Sequence, residues 1–234
     1  MAADQAPEVP EEGPGLNGSL RPLSRRFFSR PSPVVAPDLL GRLLVRRAGS
    51  GETLVVRIVE TEAYQQDDPA SHSFRGPTAR NAVMFGRAGF LYVYFTYGMH
   101  FCMNVVTGRE GEGSAVLFRA AEPLAGVGVM AARRGTDDPR LLTSGPARLT
   151  EALGVSRVMN GEDLVAGEDL WIAAGRRVPS DRVSVGPRVG IRSATGVPWR
   201  FSETGSPWVS RGRAGLPGRR RGTTTARAVS PTTP

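Results

Sequence analysis

Acidic and aromatic side chains that could perform acid–base chemistry on a flat ligand are concentrated in one stretch of this chain. Glu60 and Glu62 lie in a run of β-branched residues that ends at Tyr64. A strand with a two-residue period would present these three side chains, together with Ile58, on one face. A carboxylate on such a face can accept a proton, and a neighbouring aromatic ring can stack on a planar ligand. The stretch therefore predicts a functional site rather than plain core packing.

A second aromatic run is predicted to form a hairpin. Residues 90–97 have the composition of a strand, a glycine then permits a tight turn, and residues 101–106 are typical of a returning strand. The two-residue period places Tyr92 and Tyr94 on one face of the hairpin and Tyr97 on the other. The hairpin thus adds three tyrosines next to the acidic strand.

The elements that must position these residues mix helices and strands. Pro37-Asp38 before an apolar run predicts a helix start, and residues 48–51 predict a hairpin turn into the Glu62 strand. The loop at residues 65–87 carries His72, and its length is typical of a functional or disordered loop. The other predicted strands are at residues 114–121, 169–173, 188–191 and 208–209, and the other helices at 131–134 and 145–154. The mixture indicates a single α/β domain.

Length and composition exclude several classes of protein. The chain has 234 residues, 40% of them hydrophobic, which suffices for one packed domain between tails. No apolar run approaches the roughly 20 residues that span a bilayer, and the acidic, proline-rich N-terminus does not resemble a secretory signal. A single cysteine, Cys102, excludes an internal disulfide, and with only His72 and His100 beside it no metal site is expected. We expect no cofactor, no membrane association and a reducing compartment.

The charge distribution predicts a folded domain that is basic by itself. All 30 basic residues are arginines, and the formal net charge is +8. Residues 1–20 hold four acids and no base, residues 211–234 hold six arginines and no acid, and both are expected to be disordered tails of a domain at residues 21–210. Without these four acids and six arginines, the middle segment retains +6. This charge suits a polyanionic partner.

Several sequence blocks, in the same order, resemble the alkyladenine (3-methyladenine) DNA glycosylase family, which removes alkylated purines from DNA. The blocks are ETEAY at 60–64, SHS at 71–73, LYVYFTYGMHFCMN at 91–104, AVLFRAAEPL at 115–124, SGPARLTEALG at 144–154, PRVGI at 187–191 and GSPWVS at 205–210. The resemblance implies an α/β fold of the α+β type, with a curved, mainly antiparallel sheet, surrounding helices and a protruding β-hairpin. The chain departs from the family at Gln65-Gln66, where the loop to His72 is one residue shorter.

The resemblance implies catalytic roles for two residues. Glu62 is implied to be the general base, because cleavage of an N-glycosidic bond passes through an oxocarbenium-like sugar that a carboxylate stabilises. Arg119 is implied to lie near Glu62 and orient its carboxylate; a buried arginine that satisfies strand-end backbone is the alternative. Because two close carboxylates discourage each other's ionisation, we expect Glu60 to be paired with an arginine or exposed.

The resemblance also implies a pocket for a flipped-out base. Tyr64, His72 and Tyr94 match family residues that hold the base between aromatic faces. Electron-poor alkylated purines should stack well on such electron-rich rings. Asn104 matches a residue that screens purines by crowding the exocyclic amino group of guanine.

Four further residues are expected to contact the DNA duplex. Tyr97 matches a tyrosine that enters the minor groove from the hairpin tip and fills the gap left by the flipped base, and Met99 is expected to pack beside it. Arg75 and Arg80 are candidate phosphate contacts, whose effect on binding would be independent of sequence and sensitive to salt.

The predicted function is that of a monofunctional DNA glycosylase in base excision repair, with alkylated purines as substrates and deaminated or etheno purines as further candidates. The chain has no lysine amine to form a Schiff base with the abasic sugar, so we expect no AP-lyase activity. The expected partner is double-stranded DNA that contains damaged purines. The protein is expected to act as a monomer in the cytoplasm of a bacterium, associated with the nucleoid.

Two alternatives stay open at the level of sequence. One is a non-catalytic damaged-DNA-binding protein of the same fold, in which the loop changes have removed turnover. The other is a hydrolase of free nucleosides. The wedge-like Tyr97 and the basic middle segment argue against the nucleoside hydrolase, because a small soluble substrate needs neither.

Overall fold

The strand that carries Glu60 and Glu62 lies in the middle of one antiparallel sheet. The computed structural model describes residues 20–49, 51–96 and 98–211, and within these residues eight strands join in the sheet. In chain order the strands are β1 (Leu43–Arg47), β2 (Thr53–Tyr64), β3 (Leu91–Thr96), β4 (His100–Val106), β5 (Ala115–Ala125), β6 (Leu170–Ala173), β7 (Val183–Gly186) and β8 (Arg200–Glu203). Every pairing among them is antiparallel.

Strand β2 has hydrogen-bonded neighbours along both edges. Strand β5 pairs with one edge, while β1 and β8 share the other, with β8 opposite residues 60–62. The path through the sheet runs β3, β4, β5, β2, β1 and β6, and the β7–β8 hairpin joins it through β8. Leu117 of β5 faces Glu62 on one side and Asn104 of β4 on the other. The sheet therefore brings the β3–β4 hairpin beside the Glu62 end of β2.

Irregular pairing bends β2 where the acidic residues lie. The β2–β5 register shifts between Ile58 and Glu60 and again between Glu60 and Thr61, and bulges of this kind bend a strand and increase its twist. The predicted shared face for Ile58 and the two glutamates is wrong for this reason. Ile58 packs in the main apolar core together with Ala63, on the opposite side of the alternation from Glu62.

The helices pack against the sheet, α2 mainly on β2 and α5 mainly on β4 and β5. They are α1 (Arg25–Phe28), α2 (Ser32–Asp38), α3 (Val127–Arg134), α4 (Pro139–Leu142) and α5 (Pro146–Ala152). Helix α2 is fixed to β2 because the Thr61 hydroxyl donates to the carbonyl of Ala36 at 2.9 Å and the Ser32 hydroxyl donates to that of Tyr64 at 2.9 Å. A single domain with a curved antiparallel sheet and surrounding helices confirms the predicted α+β fold.

Three predicted elements are wrong. Pro37 and Asp38 lie at the end of α2 rather than at a helix start, because the chain turns after Leu39 into β1. Residues 188–191 do not form a strand: only Val189 makes an isolated β-bridge, and Gly190 has a φ of 76°, a left-handed conformation that interrupts a strand. Residues 208–209 lie in a turn that follows Pro207.

The predicted tails fall almost wholly outside the described residues. Of residues 1–20 only Leu20 is described; it is buried in a small cluster with Trp171, whose indole N–H donates to the Leu20 carbonyl at 2.5 Å. Of residues 211–234 only Arg211 is described. In the part of the chain that the structure describes, the helices are all too short or too polar to cross a bilayer.

Candidate active site

Glu62 is a fully buried carboxylate that is held by three groups. Its Oε1 accepts a hydrogen bond from the backbone N–H of Val189 at 2.7 Å and lies 3.2 Å from Nη1 of Arg119. Its Oε2 accepts from the Tyr64 hydroxyl at 2.8 Å. Burial first, and then the Glu62 carboxylate, raise the pKa of Tyr64 well above its usual value. The phenol therefore stays protonated and keeps donating to Glu62.

Glu60 is the second buried carboxylate, and it is paired as the sequence predicts. Its Oε1 accepts from Nε of Arg119 at 2.9 Å, from Nε of Arg200 at 2.6 Å and from the Ser210 hydroxyl at 3.0 Å, while its Oε2 accepts from the Ser210 backbone at 2.7 Å. Burial alone would raise the pKa of Glu60, but Arg119 and Arg200 hold it below its usual value. The two glutamates and two arginines form a cluster whose formal charges cancel.

Arg119 connects the two carboxylates. It lies in β5 where the β2–β5 register shifts between Glu60 and Thr61, and its guanidinium contacts both Glu60 and Glu62. Burial lowers the pKa of Arg119, but the Glu62 and Glu60 carboxylates raise it above its usual value overall. The predicted proximity of Arg119 and Glu62 is confirmed, and the alternative of an arginine that serves strand-end backbone is not what the structure contains.

A cavity of about 460 Å³ lies beside this cluster. The partners of Glu62, namely Tyr64, Arg119 and Val189, line the cavity, whereas the Glu62 side chain is fully covered. Aromatic and polar side chains of the loop and the hairpin line the cavity as well. The other lining residues are Pro69, Ala70, His72, Met84, Tyr92, Tyr94, Thr96, Cys102, Asn104, Leu117, Pro146, Gly190, Ile191, Arg192 and Ser193.

His72 contacts Tyr92 and Tyr94 of the hairpin, although the loop that carries it is one residue shorter than in the family. Its ring lies edge-on to Tyr94, with centroids 4.5 Å apart, and its Nδ1 is 3.0 Å from the Tyr92 hydroxyl. The Tyr92 and Tyr94 rings stack at 5.7 Å and 29°, as their predicted shared face requires. His72 is exposed overall. Partial desolvation of its ring, and secondly the charge of Arg80, lower the pKa of His72 from its usual value. A neutral imidazole therefore faces the cavity at neutral pH.

Asn104 is held rigidly at the cavity wall. It lies opposite Tyr92 in the β3–β4 pairing, and its side-chain amide donates to the Tyr92 carbonyl at 3.0 Å. Only 4% of its surface is exposed. Because its position is fixed by this hydrogen bond, Asn104 presents a constant shape to any ligand in the cavity.

Comparison with known proteins assigns the family. A family model described as methylpurine-DNA glycosylase matches residues 26–207. The chain belongs to the methylpurine-DNA glycosylase family. This confirms the resemblance predicted from sequence, and it makes the protein a DNA glycosylase, an enzyme of DNA repair whose substrate is DNA.

Individual relatives support the same family assignment. Each of the three that follow is named "Putative 3-methyladenine DNA glycosylase". The protein from Streptomyces avermitilis is 50% identical over 205 residues, covering 86% of this chain and 96% of the relative. That from Rhodopseudomonas palustris strain HaA2 is 50% identical over 202 residues, with coverages of 86% and 96%. That from Carboxydothermus hydrogenoformans is 47% identical over 189 residues, with coverages of 81% and 98%.

The candidate DNA contacts lie on the β3–β4 hairpin and the loop beside it. Met99 is 70% exposed at the turn between β3 and β4, whereas Tyr97 lies outside the described residues. Arg80 is exposed, and its Nη2 donates to the carbonyl of Phe95 on β3 at 3.0 Å. Arg75 lies on the same loop and lines a smaller pocket together with Arg80. The predicted phosphate contacts are thus brought together.

Sequence reasoning missed several groups that hold the glutamates. Arg200 and Ser210 bind Glu60, and the Val189 N–H binds Glu62. Val189 and Ser210 lie in blocks that carry the family resemblance, so those blocks could have pointed to them. Arg200 lies outside those blocks, so the resemblance gave no indication of its role. A buried arginine, Arg188, was missed in the same way as Val189.

Proposed function

We propose that this enzyme flips an alkylated purine out of duplex DNA into the 460 Å³ cavity and hydrolyses its N-glycosidic bond. The observation that carries the proposal is the position of Glu62, a buried carboxylate whose hydrogen-bonding partners form the wall of an aromatic cavity. A base inside a duplex is inaccessible to such a buried group, so the nucleotide must leave the stack. The names of the relatives, all referring to 3-methyladenine, support alkylated adenine as a substrate.

Glu62 is the proposed general base. A carboxylate has about four acceptor positions, and three of them are occupied by Val189, Arg119 and Tyr64. The fourth lies on Oε2, which is covered in this structure. The side chains over Oε2 must therefore move when the flipped nucleotide enters, so that a water molecule can donate a hydrogen bond to it and then lose its proton to it. The same negative charge stabilises the oxocarbenium-like sugar as the base departs. Arg119 and Val189 orient the carboxylate for both roles.

The base would lie between Tyr64 on one side and His72 with Tyr94 on the other. Electron-rich rings attract a positively charged purine, and the lowered pKa of His72 keeps the imidazole neutral, so that it does not repel that charge. Asn104 would exclude guanine by crowding its exocyclic amino group. Deaminated and etheno purines are neutral and would gain only the stacking part of this interaction.

Duplex contacts would come from the hairpin and its neighbouring loop. We assign Tyr97 as the wedge in the minor groove, with the exposed Met99 packing beside it. Arg75 and Arg80 would contact phosphates. We also propose that the enzyme acts as a monomer, and the single buried cysteine and basic domain suit a cytoplasmic enzyme associated with bacterial DNA.

The absence of lysine from the sequence supports a monofunctional mechanism. Nicking glycosylases attack the sugar with an amine, and this chain offers no lysine amine. The product would be an intact abasic site. Trapping of a covalent DNA adduct with borohydride would contradict this part of the proposal.

The decisive experiment measures release of free base from a duplex that carries one methylated adenine. Wild type should release the base, Glu62→Gln should not, and both should bind the lesion duplex with similar affinity. Glu122→Gln, which alters a partly exposed carboxylate on β5, is the matched control and should retain activity. Tight lesion binding without release by wild type would identify a non-catalytic damage-binding protein instead.

A further inference from the structure

Asp68 and Arg188 form an ion pair that is buried behind the cavity. The side chain of Arg188 is fully covered and that of Asp68 is 2% exposed. The contact is bidentate: Nη2 donates to Oδ1 at 2.9 Å, and Nη1 donates to Oδ2. The two residues are 120 positions apart in sequence. Planar pairing of this kind fixes orientation as well as distance.

Each partner directly precedes a segment that lines the cavity. Asp68 is followed by Pro69, Ala70 and His72, and its Oδ1 also accepts from the backbone of Ala70 at 3.0 Å. Arg188 is followed by the lining residues 189–193. The ion pair therefore joins the loop that carries His72 to the loop on the other side of the cavity.

Arg188 also touches the groups around Glu62. Its Nη1 donates to the carbonyl of Ala63 at 2.9 Å, and its guanidinium lies 4.6 Å from the centre of the Tyr64 ring. The next residue along the chain is Val189, whose N–H donates to Glu62. A small displacement of Arg188 would thus move a hydrogen-bond donor of Glu62 and the ring that is proposed to stack on the base.

We propose that Asp68 and Arg188 are positioning residues for base excision. The pair sets the place of the Val189 N–H, and through it the orientation of the Glu62 carboxylate, and it supports the face of Tyr64. This role rests on the proposed function of Glu62 as general base. Neither residue needs to touch the substrate.

The effects of single and double substitutions on folding stability can separate a positioning role of Asp68 and Arg188 from a purely stabilising one. Breaking a buried pair by removing one partner is strongly destabilising, whereas replacing both partners with apolar residues of similar size is often neutral for stability. The double variant Asp68→Leu/Arg188→Met therefore avoids an unpaired buried charge, but it should be less stable than wild type because the Ala63 carbonyl and the Ala70 N–H lose these partners. The double variant also lacks the bidentate contact that joins the loop carrying His72 to the loop at residues 188–193.

The test compares the double variant with wild type in three measurements: thermal unfolding, the single-turnover rate of base release, and lesion-duplex affinity in a Glu62→Gln background. We expect the rate of release to fall about 100-fold, as is typical of a misplacement of about 1 Å. Affinity should fall only about two- to fivefold, through loss of the cation–π support of Tyr64. The single variant Arg188→Lys, which keeps the charge beside Asp68, should release base faster than the double variant.

The control is Arg25→Met/Asp163→Leu, which removes another ion pair between distant segments. The partners of Arg25, Ala88 and Phe90, do not line the cavity, and this variant should release base at the wild-type rate. The role of Asp68 and Arg188 is overturned if their double variant, once folded, releases base within about threefold of wild type, a change no larger than the loss of one ordinary hydrogen bond would cause. Failure of wild type to release base would instead refute the proposed function itself.

Discussion

Glu60→Gln should destabilise the protein far more than its single lost charge suggests. Glu60 is fully buried and accepts from Arg119, Arg200 and both donors of Ser210. The substitution leaves the buried Arg119 with Glu62 as its carboxylate partner, and it removes the carboxylate that pairs with Arg200, whose side chain is 20% exposed. It also turns an amide N–H₂ toward groups that are themselves donors. Removing one partner of a buried ion pair costs about 3–5 kcal/mol. This is a large part of the roughly 5–15 kcal/mol that stabilises a typical domain.

The assay is thermal and denaturant unfolding of wild type beside the variant at neutral pH. For a domain of this size each kcal/mol corresponds to about 2–4 °C, so the midpoint should fall by about 6–20 °C. The matched control is Glu122→Gln, whose carboxylate pairs with Arg57 at 2.7 Å but is 30% exposed. A partly exposed pair contributes about 0–1 kcal/mol, and the control midpoint should move by only a few degrees.

The pH dependence of unfolding tests the same Glu60–arginine contacts in a second way. The pKa of Glu60 is lowered in the folded state, so the carboxylate contributes stability above the pKa of an unfolded glutamate, and this contribution is lost as the pH falls through the folded pKa. The difference in stability between wild type and Glu60→Gln should therefore narrow under acid. A loss below about 1 kcal/mol at neutral pH, or a difference that does not change with pH, would refute the assignment of Glu60 as the buried charge partner of both arginines.

Two further predictions concern the cavity and the DNA contacts. Because partial desolvation and Arg80 lower the pKa of His72 from its usual value, its imidazole becomes cationic only as the pH falls through that lowered value. Excision of a cationic methylated purine should then decline more steeply than excision of neutral hypoxanthine between about pH 8 and 5, and His72→Gln should remove this difference; equal profiles for both lesions would contradict it. Arg80→Ala should weaken binding to damaged and undamaged duplex alike and reduce the slope of log affinity against log salt by about one unit. A loss confined to damaged duplex would contradict a phosphate contact.

The sequence predicts the parts of the site that lie close together along the chain. The alternation of Glu60, Glu62 and Tyr64 and the tyrosine pair of the hairpin follow from strand periodicity, and the stacking of Tyr92 on Tyr94 confirms it. The same rule failed for Ile58, because a bulge changes the alternation without leaving a mark in hydrophobicity. Periodicity is therefore reliable within a regular strand and fails where the strand bends.

The groups that hold the glutamates could not be found from periodicity. Arg200 and Ser210 bind Glu60 although they lie 140 and 150 residues away in sequence. The local sequence around them does not indicate that they pack against the β2 strand. The Val189 contact uses a backbone N–H, which every residue except proline possesses. Residues 188–191 were predicted to form a strand because of their composition. The backbone N–H of Val189, however, donates to the Glu62 side chain and not to the carbonyl of a neighbouring strand.

The position of these supporting groups follows from the electrostatics of the acidic strand. Two carboxylates two residues apart cannot both remain ionised in a buried strand unless cations compensate them. Strand β2 has no basic residue between Glu60 and Tyr64, so Arg119 must come from β5 and Arg200 from β8, the strands that flank this half of β2. An acidic pair at the centre of a sheet thus requires long-range neighbours of opposite charge. This requirement makes the C-terminal part of the domain as necessary to the site as the stretch that contains Glu62.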